Sequence, residues 1–206
     1  MHFFPFVFQD WAANKTSTKG RIITLLFRIA NFCSTRKIYR YIGLPYLVFY
    51  KVVVEWILGI EIPWNAKIGK GLTVYHGQGI VLSNQVIIGA YCTLRHFTTI
   101  GNKQKQGGGS TQSPVIGNYV DVGSNTCIIG DIKIGDSVKI GCGSVVTKSM
   151  PSNTVVAGNP AAEIKKKNFT PYYITINKMK VRIPERIPEN TGMHEYKLTK
   201  EKDISK

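Results

Sequence analysis

The sequence predicts a parallel β-helix built from hexapeptide repeats, and three observations support this. First, isoleucine and valine recur at every sixth position, at Ile116, Val122, Ile128, Ile134, Ile140 and Val146. Second, glycine directly follows four of these residues, at Gly117, Gly123, Gly135 and Gly141. Third, an earlier series runs through Ile62, Ile68, Val74 and Ile80, and then, after a shift in phase, through Ile88, Leu94 and Ile100. Such a repeat is typical of solenoids whose stacked turns bury one continuous apolar interior.

The corners between the predicted strands carry small and polar residues. Glycine adopts positive φ without steric cost, so Gly117 and Gly123 are expected to turn the chain in that conformation. Asn118 and Asp136 are expected to occupy corners for the same reason.

The β-helix is predicted for residues 61–164, between an N-terminal helical segment (1–60) and a basic C-terminal extension (165–206). We expect one short strand in the extension, within residues 170–184.

Two helices are expected in the N-terminal segment. An apolar stripe at helical spacing runs from Ile22 to Phe32, and Arg21 and Arg28 fall on its opposite side. The second helix should run from about Tyr46 to Leu58.

Residues 102–114 interrupt the six-residue period. Their sequence is NKQKQGGGSTQSP, with three successive glycines, so the segment must loop out of the solenoid. Long loops in compact repeats are usually functional or disordered. A flap over a site is favoured over a flexible excursion, because the loop lies in the middle of the repeats.

The charge of the chain favours anionic partners. Its 206 residues include 27 Lys and Arg against 12 Asp and Glu, a formal net charge of +15. This suits nucleic acid, an acidic membrane surface or phosphate-bearing small molecules. Nucleic acid is not expected, because the basic residues are not interleaved with aromatic residues in a recognisable motif.

The sequence shows no secretory signal and no membrane span. The longest apolar stretch, residues 44–60, contains Lys51 and Glu55 and falls short of the ~20 apolar residues that cross a bilayer. We therefore expect a cytoplasmic protein, with peripheral contact to the inner membrane as an open alternative. The four cysteines form no CxxC pair, so we expect reduced thiols and no metal.

Several stretches of the chain resemble known enzymes. The core of bacterial serine acetyltransferases is similar to EIPWNAKIGKGLTVYHGQGIVLSNQVIIG, and the terminal turn of hexapeptide acyltransferases resembles GCGSVVTKSMPSNTVVAGNPAAEI. Together with LRHFTTIGN and RIANFCS, residues 9–165 are most similar to the colanic acid biosynthesis acetyltransferases, enzymes of exopolysaccharide assembly. The resemblance implies a left-handed β-helix, a homotrimer and acetyl-CoA as the donor, although parallel crossovers are normally right-handed.

His76 is the predicted catalytic base. Acyl transfer from a thioester to a hydroxyl needs a base close to the alcohol proton, and free histidine has a pKa of ~6.5. The resemblance places His76 on the base of the family. Glu61 lies fifteen residues earlier, where serine acetyltransferases have an aspartate. A carboxylate there would orient the imidazole, and the alternative is a solvated surface charge.

Four residues are expected at the acceptor site. Tyr75 replaces the acid that precedes the family's base, and Gln112 and Ser113 replace the Arg-His pair that grips the serine carboxylate. A site without those cations should bind a free carboxylate poorly, which favours a neutral saccharide. His96 could contact the acceptor or the thioester carbonyl, or face a neighbouring chain without a role.

The resemblance also implies where acetyl-CoA binds. Ser124 and Cys142 lie eighteen residues apart, one turn, at positions where related enzymes contact the pantetheine arm. Thr147 and Lys148 match the step near the CoA nucleotide. Lys165 aligns with a basic residue able to reach phosphate.

We therefore predict an acetyl-CoA-dependent O-acetyltransferase that acts on a saccharide, free or lipid-linked, in capsular or exopolysaccharide biosynthesis. The alternatives are a serine O-acetyltransferase of cysteine biosynthesis and a non-catalytic trimer that binds a membrane or a polymer. A zinc enzyme of the γ-carbonic anhydrase type would need three histidine ligands, whereas the repeats hold only His76 and His96.

Overall fold

The computed structural model describes residues 2–166, 172–176, 179–183 and 198–199. The chain divides into two compact units, Met1–Lys167 and Asn168–Lys206. The first unit contains the helices and the solenoid. In the second, the described residues form three short strands.

Helices form the N-terminal segment, as predicted. They are α1 (Phe3–Val7), α2 (Thr18–Ser34), α3 (Lys37–Ile42), α4 (Leu44–Tyr50) and a π-helix (Lys51–Ile57). The helix expected from about Tyr46 therefore begins earlier and changes to π-helical hydrogen bonding at Lys51. Pro45 lies in the first turn of α4, where its missing N–H removes no intrahelical hydrogen bond.

A parallel β-helix with three sheets follows the helices, which confirms the predicted fold class. The first sheet contains β1 (Lys67–Ile68), β4 (Ile87–Ile88), β7 (Val115–Ile116) and β10 (Lys133–Ile134). The second sheet contains β2 (Thr73–Tyr75), β5 (Thr93–Arg95), β8 (Asp121–Val122), β11 (Lys139–Ile140), β13 (Thr154–Gly158) and β14 (Ala161–Lys166). The third sheet contains β3 (Val81–Leu82), β6 (Thr99–Gly101), β9 (Cys127–Ile129) and β12 (Val145–Val146). Strand β14 pairs antiparallel with β13.

The inward side chains of successive turns stack in register. Val74 pairs with Leu94, twenty residues later, whereas Leu82 pairs with Ile100, eighteen residues later. The shift in phase is therefore two extra residues (20 − 18) at the corner between β2 and β3. As a result Leu82, and not Ile80, occupies the inward strand position, and Ile80 is buried within the corner.

The corner glycines have a different role from the one predicted. The expectation of positive φ is wrong for all four, Gly117, Gly123, Gly135 and Gly141. A Cβ on Gly117 would lie 2.6 Å from the carboxylate of Asp136, and one on Gly123 would lie 2.5 Å from the backbone nitrogen of Cys142. Glycine is needed because the next turn approaches too closely for a side chain. Asn118 and Asp136 do not adopt positive φ either. Instead, the backbone N–H of Asn118 donates to Asp136 Oδ1 at 2.6 Å.

Side chains of the N-terminal segment close the open edge of the second sheet at β2. Asn14 Nδ2 donates to Leu72 O at 2.7 Å, and Asn14 Oδ1 accepts from Val74 N at 2.9 Å. Asp10 Oδ1 accepts from Leu72 N at 3.0 Å, and Ser17 Oγ donates to Val74 O at 3.1 Å. Three side chains thus replace the missing neighbouring strand, whose absence would leave these backbone groups unpaired.

Arg28 lies on the buried face of α2, so the prediction that it falls on the side opposite the apolar stripe is wrong. Arg28 and Asp10 are each 1% exposed, and Arg28 Nε donates to Asp10 Oδ2 at 2.6 Å. The guanidinium also donates to Ile68 O at 2.9 Å and to Gly69 O at 2.6 Å. The buried cation is therefore paired with a carboxylate and further satisfied by backbone carbonyls.

The second unit contains β15 (Tyr172–Ile176), β16 (Met179–Ile183) and β17 (Leu198–Thr199) in an antiparallel sheet. Strands β15 and β16 fall within residues 170–184, where one strand is predicted. Apart from these three strands, the predicted basic extension after Lys166 lies outside the described residues.

Candidate active site

One corner of the β-helix, between the second and third sheets, gathers four of the predicted site residues. His76 follows β2, His96 follows β5, and Ser124 and Cys142 lie two residues beyond β8 and β11. Backbone hydrogen bonds connect these turns: the amide of Asn125 donates to His96 O at 3.0 Å, and that of Gly143 to Ser124 O at 2.9 Å. We call the stacked set of His76, His96, Ser124 and Cys142 the His76 corner.

His76 is exposed and adopts φ 68°, the left-handed conformation. Its ring lies edge-on to that of His96, with 5.4 Å between centroids and 82° between planes. The two extra residues of this turn lie at this corner, between β2 and β3. A Cβ on the following Gly77 would lie 2.6 Å from Ile23 Cδ1, so α2 packs directly against the corner. The arrangement leaves an accessible imidazole on a rigid support.

His96 carries a buried polar atom without a partner. Its Nδ1 is inaccessible to solvent and forms no hydrogen bond within residues 2–166. The ring also contacts that of Phe97, with 5.6 Å between centroids. An unsatisfied buried nitrogen calls for an explanation such as a functional role, but the geometry does not choose between the acceptor and the thioester carbonyl. The role of His96 stays a prediction.

Glu61 lies exposed at the edge of the third sheet. It forms a parallel bridge with Val81, and its amide donates to Ile80 O at 2.7 Å. Between residues 2 and 166, no hydrogen bond or ion pair joins Glu61 to His76. The ring neighbour of His76 in one chain is His96, and the orienting role of Glu61 stays a prediction.

Sequence reasoning missed two charged residues, Arg95 beside Tyr75 and Asp121, which pairs with Arg95. The Arg95 guanidinium lies 5.6 Å from the centroid of the Tyr75 ring. Arg95 Nη1 donates to Asp121 Oδ1 at 2.5 Å and to Val122 O at 2.8 Å. A cation is therefore present next to the predicted acceptor residue, but it is already paired with a carboxylate. The twenty-residue spacing from Tyr75 could have located Arg95. The loop insertion hides the register that places Asp121 opposite Thr93, two residues before Arg95.

The loop at residues 102–114 leaves the solenoid at another corner, between the third and first sheets. It forms a hairpin in which Thr111 N donates to Lys103 O at 2.7 Å. Gln112 is exposed, whereas Ser113 is buried and its hydroxyl lies 2.8 Å from that of Ser83. The structure therefore does not bring Gln112 or Ser113 to the His76 corner of the same chain.

The predicted CoA residues are divided between the same two corners. Ser124 and Cys142 belong to the His76 corner. Thr147 and Lys148 are exposed and follow β12, on the side of the third sheet from which the loop also leaves. The side chain of Lys165 lies outside the described part of the structure.

Cys142 has the electrostatic surroundings of a reactive thiol. Hydrogen bonding with Ser124, with a smaller contribution from the Arg95 charge, lowers the pKa of this exposed thiol below its ordinary value. Burial instead raises the pKa of Cys92 to about 11. Thiolate population and access together control alkylation.

We expect iodoacetamide to modify Cys142 at least about tenfold faster than Cys92 at about pH 8. Peptide mass spectrometry over a time course measures both rates. Ser124→Ala should slow the reaction of Cys142 and leave that of Cys127 unchanged. Equal rates at Cys142 and Cys92 would contradict the assignment.

Within the described residues, no group of three or more His, Cys, Asp or Glu side chains is placed to hold a metal ion.

Comparison with known proteins identifies similar acetyltransferases, although no protein-family model matches the chain. A protein of Escherichia coli K12, assigned as the colanic acid biosynthesis acetyltransferase WcaB, is 37% identical over 157 residues, covering 74% of this chain and 95% of that protein. The serine acetyltransferase of Synechococcus elongatus is 38% identical over 108 residues, 52% of this chain and 43% of that enzyme.

Solved structures show the same fold. The Neisseria gonorrhoeae serine acetyltransferase superposes with a TM-score of 0.65 at 26% identity, covering 80% of this chain and 66% of that one. The soybean serine acetyltransferase gives 0.66 at 27% identity, covering 79% and 69%. The chain thus spans nearly all of the E. coli protein but less than half of the Synechococcus enzyme.

Proposed function

This chain belongs to the hexapeptide-repeat O-acetyltransferases related to WcaB and the serine acetyltransferases, and we propose that it acetylates a saccharide hydroxyl in capsular or exopolysaccharide biosynthesis. Acetyl-CoA is the donor implied by the family. The observation that carries the proposal is the His76 corner. It stacks the exposed imidazole of His76 and the partly buried imidazole of His96 in line with two positions at which related enzymes contact the CoA arm.

In the proposed reaction, His76 accepts the proton of the acceptor hydroxyl while the oxygen attacks the thioester carbonyl. A backbone amide stabilises the resulting oxyanion. The C–S bond then breaks, and the departing CoA sulfur takes the proton from His76. The acetyl group moves directly to oxygen, so the protein forms no covalent intermediate. Glu61 is proposed to hold the imidazole in the productive orientation.

A neutral saccharide is favoured over serine by the groups predicted at the acceptor site. The nearby cation, Arg95, is already paired with Asp121 at 2.5 Å, so it is a poor partner for a free carboxylate. Gln112 offers an uncharged amide, and Ser113 is engaged by Ser83. We therefore expect thiol release from acetyl-CoA with oligosaccharide or nucleotide-sugar acceptors and little with L-serine. Faster turnover with L-serine than with every sugar would replace this proposal with the serine O-acetyltransferase alternative.

We infer that the enzyme is a homotrimer with each site shared between two chains. The predicted acceptor and CoA residues lie at two different corners of the β-helix, one on each side of the third sheet. One chain alone therefore does not bring them together. Neighbouring chains could bring the loop at residues 102–114 of one copy to the His76 corner of the next. Sedimentation as a 23.0 kDa monomer under assay conditions would contradict this arrangement.

Acetyl-CoA is proposed to bind along Ser124 and Cys142, with Thr147, Lys148 and Lys165 toward its nucleotide. Saturating CoA should then slow the alkylation of Cys142 by iodoacetamide by about tenfold or more, because a bound ligand blocks access to the thiol. The alkylation rate of Cys127 in the same samples is the internal control. Unchanged Cys142 reactivity with bound CoA would remove this residue from the proposed site.

The helical segment favours an acceptor located at a membrane surface. Residues 11–54 contain eight Lys or Arg and no Asp or Glu. Large apolar side chains are exposed on the same helices, at Ile38, Tyr41, Ile42, Leu44, Val48, Phe49, Trp56 and Ile57. None of the described helices has the length and apolar character needed to cross a bilayer. A basic, amphipathic surface of this kind suits peripheral binding to anionic lipid, and we propose that it brings the enzyme to a lipid-linked acceptor.

The protein is expected to float with vesicles of phosphatidylcholine and phosphatidylglycerol, and not with phosphatidylcholine alone. The double substitution Ile42→Ser and Trp56→Ser should abolish flotation, because both apolar side chains are more than 70% exposed. Ile164→Ser, an equally conservative change at an exposed position outside the helices, is the control. Failure of the unmodified protein to float would refute membrane binding, and assembly through this surface would then be sought by sedimentation.

A further inference from the structure

A cleft of about 320 Å³ lies between the π-helix and the first turn of the β-helix. The π-helix contributes Lys51 and Glu55, and the first turn contributes Glu61, Trp64, Asn65 and Asn84. We propose that this cleft binds a neutral saccharide, as a subsite for the part of the acceptor that does not react. The proposal rests on the saccharide specificity proposed above and names where that specificity is exerted.

Trp64 gives the cleft a fixed aromatic surface. Its carbonyl accepts hydrogen bonds from Asn31 Nδ2 at 2.5 Å and from Ser34 Oγ at 3.3 Å, so α2 holds the residue in place. The ring is half-buried, and Lys51 Nζ lies 5.9 Å from its centroid. Ligand sites typically combine such an apolar surface with a few placed polar groups. A pyranose offers C–H groups to the ring and hydroxyls to the surrounding polar groups.

The polar groups of the cleft are free to bind a ligand. Asn65 and Asn84 are exposed, and neither side-chain amide forms a hydrogen bond within residues 2–166. Each amide supplies both donors and an acceptor, and the carboxylates of Glu55 and Glu61 supply further acceptors. A ligand with many hydroxyls matches this mixture of donors and acceptors.

The charges of the cleft disfavour an anionic sugar. Two carboxylates, those of Glu55 and Glu61, face one ammonium, that of Lys51. Burial raises the pKa of Glu55; the charge of Lys51 opposes this increase and that of Glu61 adds to it. The two carboxylates are thus close enough to repel each other, and a uronate would add a third negative charge.

The cleft lies beside the loop at residues 102–114. Leu82 pairs with Ile100, so Asn84 stacks beneath Asn102, the first residue of the loop. At the other end of the loop, Ser113 contacts Ser83, the neighbour of Asn84 in sequence, at 2.8 Å. Both ends of the loop are therefore anchored next to the cleft. The π-helix on the opposite wall is a rare conformation that is enriched at functional sites.

Isothermal titration of the full chain without acetyl-CoA tests the proposal. The neutral probes are cellotetraose, maltotetraose and mannotetraose, and the anionic probe is tetragalacturonate. We expect at least one neutral tetrasaccharide to bind at least about tenfold more tightly than tetragalacturonate, a difference of about 1.4 kcal/mol. Trp64→Ala and Asn84→Ala should each weaken that binding by about tenfold. Trp11→Phe changes another partly exposed tryptophan outside the cleft and should leave tetrasaccharide binding unchanged. Circular dichroism checks that each variant folds.

Three results would overturn the subsite: no binding of any neutral tetrasaccharide, equal binding of tetragalacturonate, or unchanged binding by both cleft variants. Acetyl transfer measured separately distinguishes this failure from failure of the proposed function. Tetrasaccharide binding through Trp64 without transfer to any sugar would refute the proposed reaction and retain the cleft. Transfer to sugars with no effect of Trp64→Ala on the KM for the acceptor would refute the cleft alone.

Discussion

His76→Asn is expected to lower kcat for acetyl transfer by about 10²- to 10⁴-fold, the usual contribution of a general base. Asparagine is the suitable replacement because position 76 has φ 68°, and asparagine tolerates this conformation better than alanine does. The variant therefore removes the base without straining the corner. The measurement is steady-state thiol release over an acceptor panel, with KM for acetyl-CoA expected to stay within about threefold of the unmodified enzyme.

Gln78→Ala is the matched control for this corner. Gln78 is exposed and lies two residues after His76. Within the described residues its one hydrogen bond is accepted by its backbone carbonyl, from Phe97 N at 2.8 Å. Its replacement should leave kcat essentially unchanged. If His76→Asn retained more than about a tenth of the activity, a different base would have to be sought.

Asp10→Ala is expected to destabilise the first unit by about 3–5 kcal/mol, because it leaves the buried cation of Arg28 without its carboxylate. The same change removes the acceptor for Leu72 N at the edge of the second sheet. Urea unfolding followed by circular dichroism should show a lower midpoint with a similar slope.

Arg21→Ala, about two helical turns from Arg28 on the same helix, provides the comparison. Arg21 is only half-buried. Its Nε donates to Trp11 O at 3.3 Å, and its guanidinium lies 4.9 Å from the centroid of the Trp11 ring. We expect this variant to lose less than about 1 kcal/mol. A loss of similar size for Asp10→Ala would show that the buried pair contributes little beyond an ordinary surface contact.

The repeat could be predicted from sequence because burial imposes a strict spacing on it. Every turn places one side chain of each strand in the same interior, so Val122, Ile128 and Ile140 recur at a fixed interval and are all buried. The corner glycines were located correctly but explained wrongly. Their positions follow from the period along the chain, whereas the close approach of the next turn to Gly117 and Gly123 depends on a residue nineteen positions away.

The candidate site was predicted in part. The turn length allowed Ser124 and Cys142 to be matched, and both lie at the His76 corner. The same reasoning did not show that Gln112, Thr147 and Lys148 lie at a different corner, because sequence spacing does not state on which side of a sheet a residue falls. The pairing of Arg95 with Asp121 was hidden by the loop, which lengthens that turn from eighteen to twenty-eight residues.

The sequence by itself determined the solenoid, its helical N-terminal segment and the exposed histidine around which the chemistry is proposed, since each of these depends on local periodicity or residue type. Only the tertiary structure decided that Arg28 is buried against Asp10, that the His96 ring lies against that of His76, and that a cleft forms beside Trp64. These features join residues that are distant along the chain. Their contacts depend on how separate elements pack, which no spacing within one element specifies.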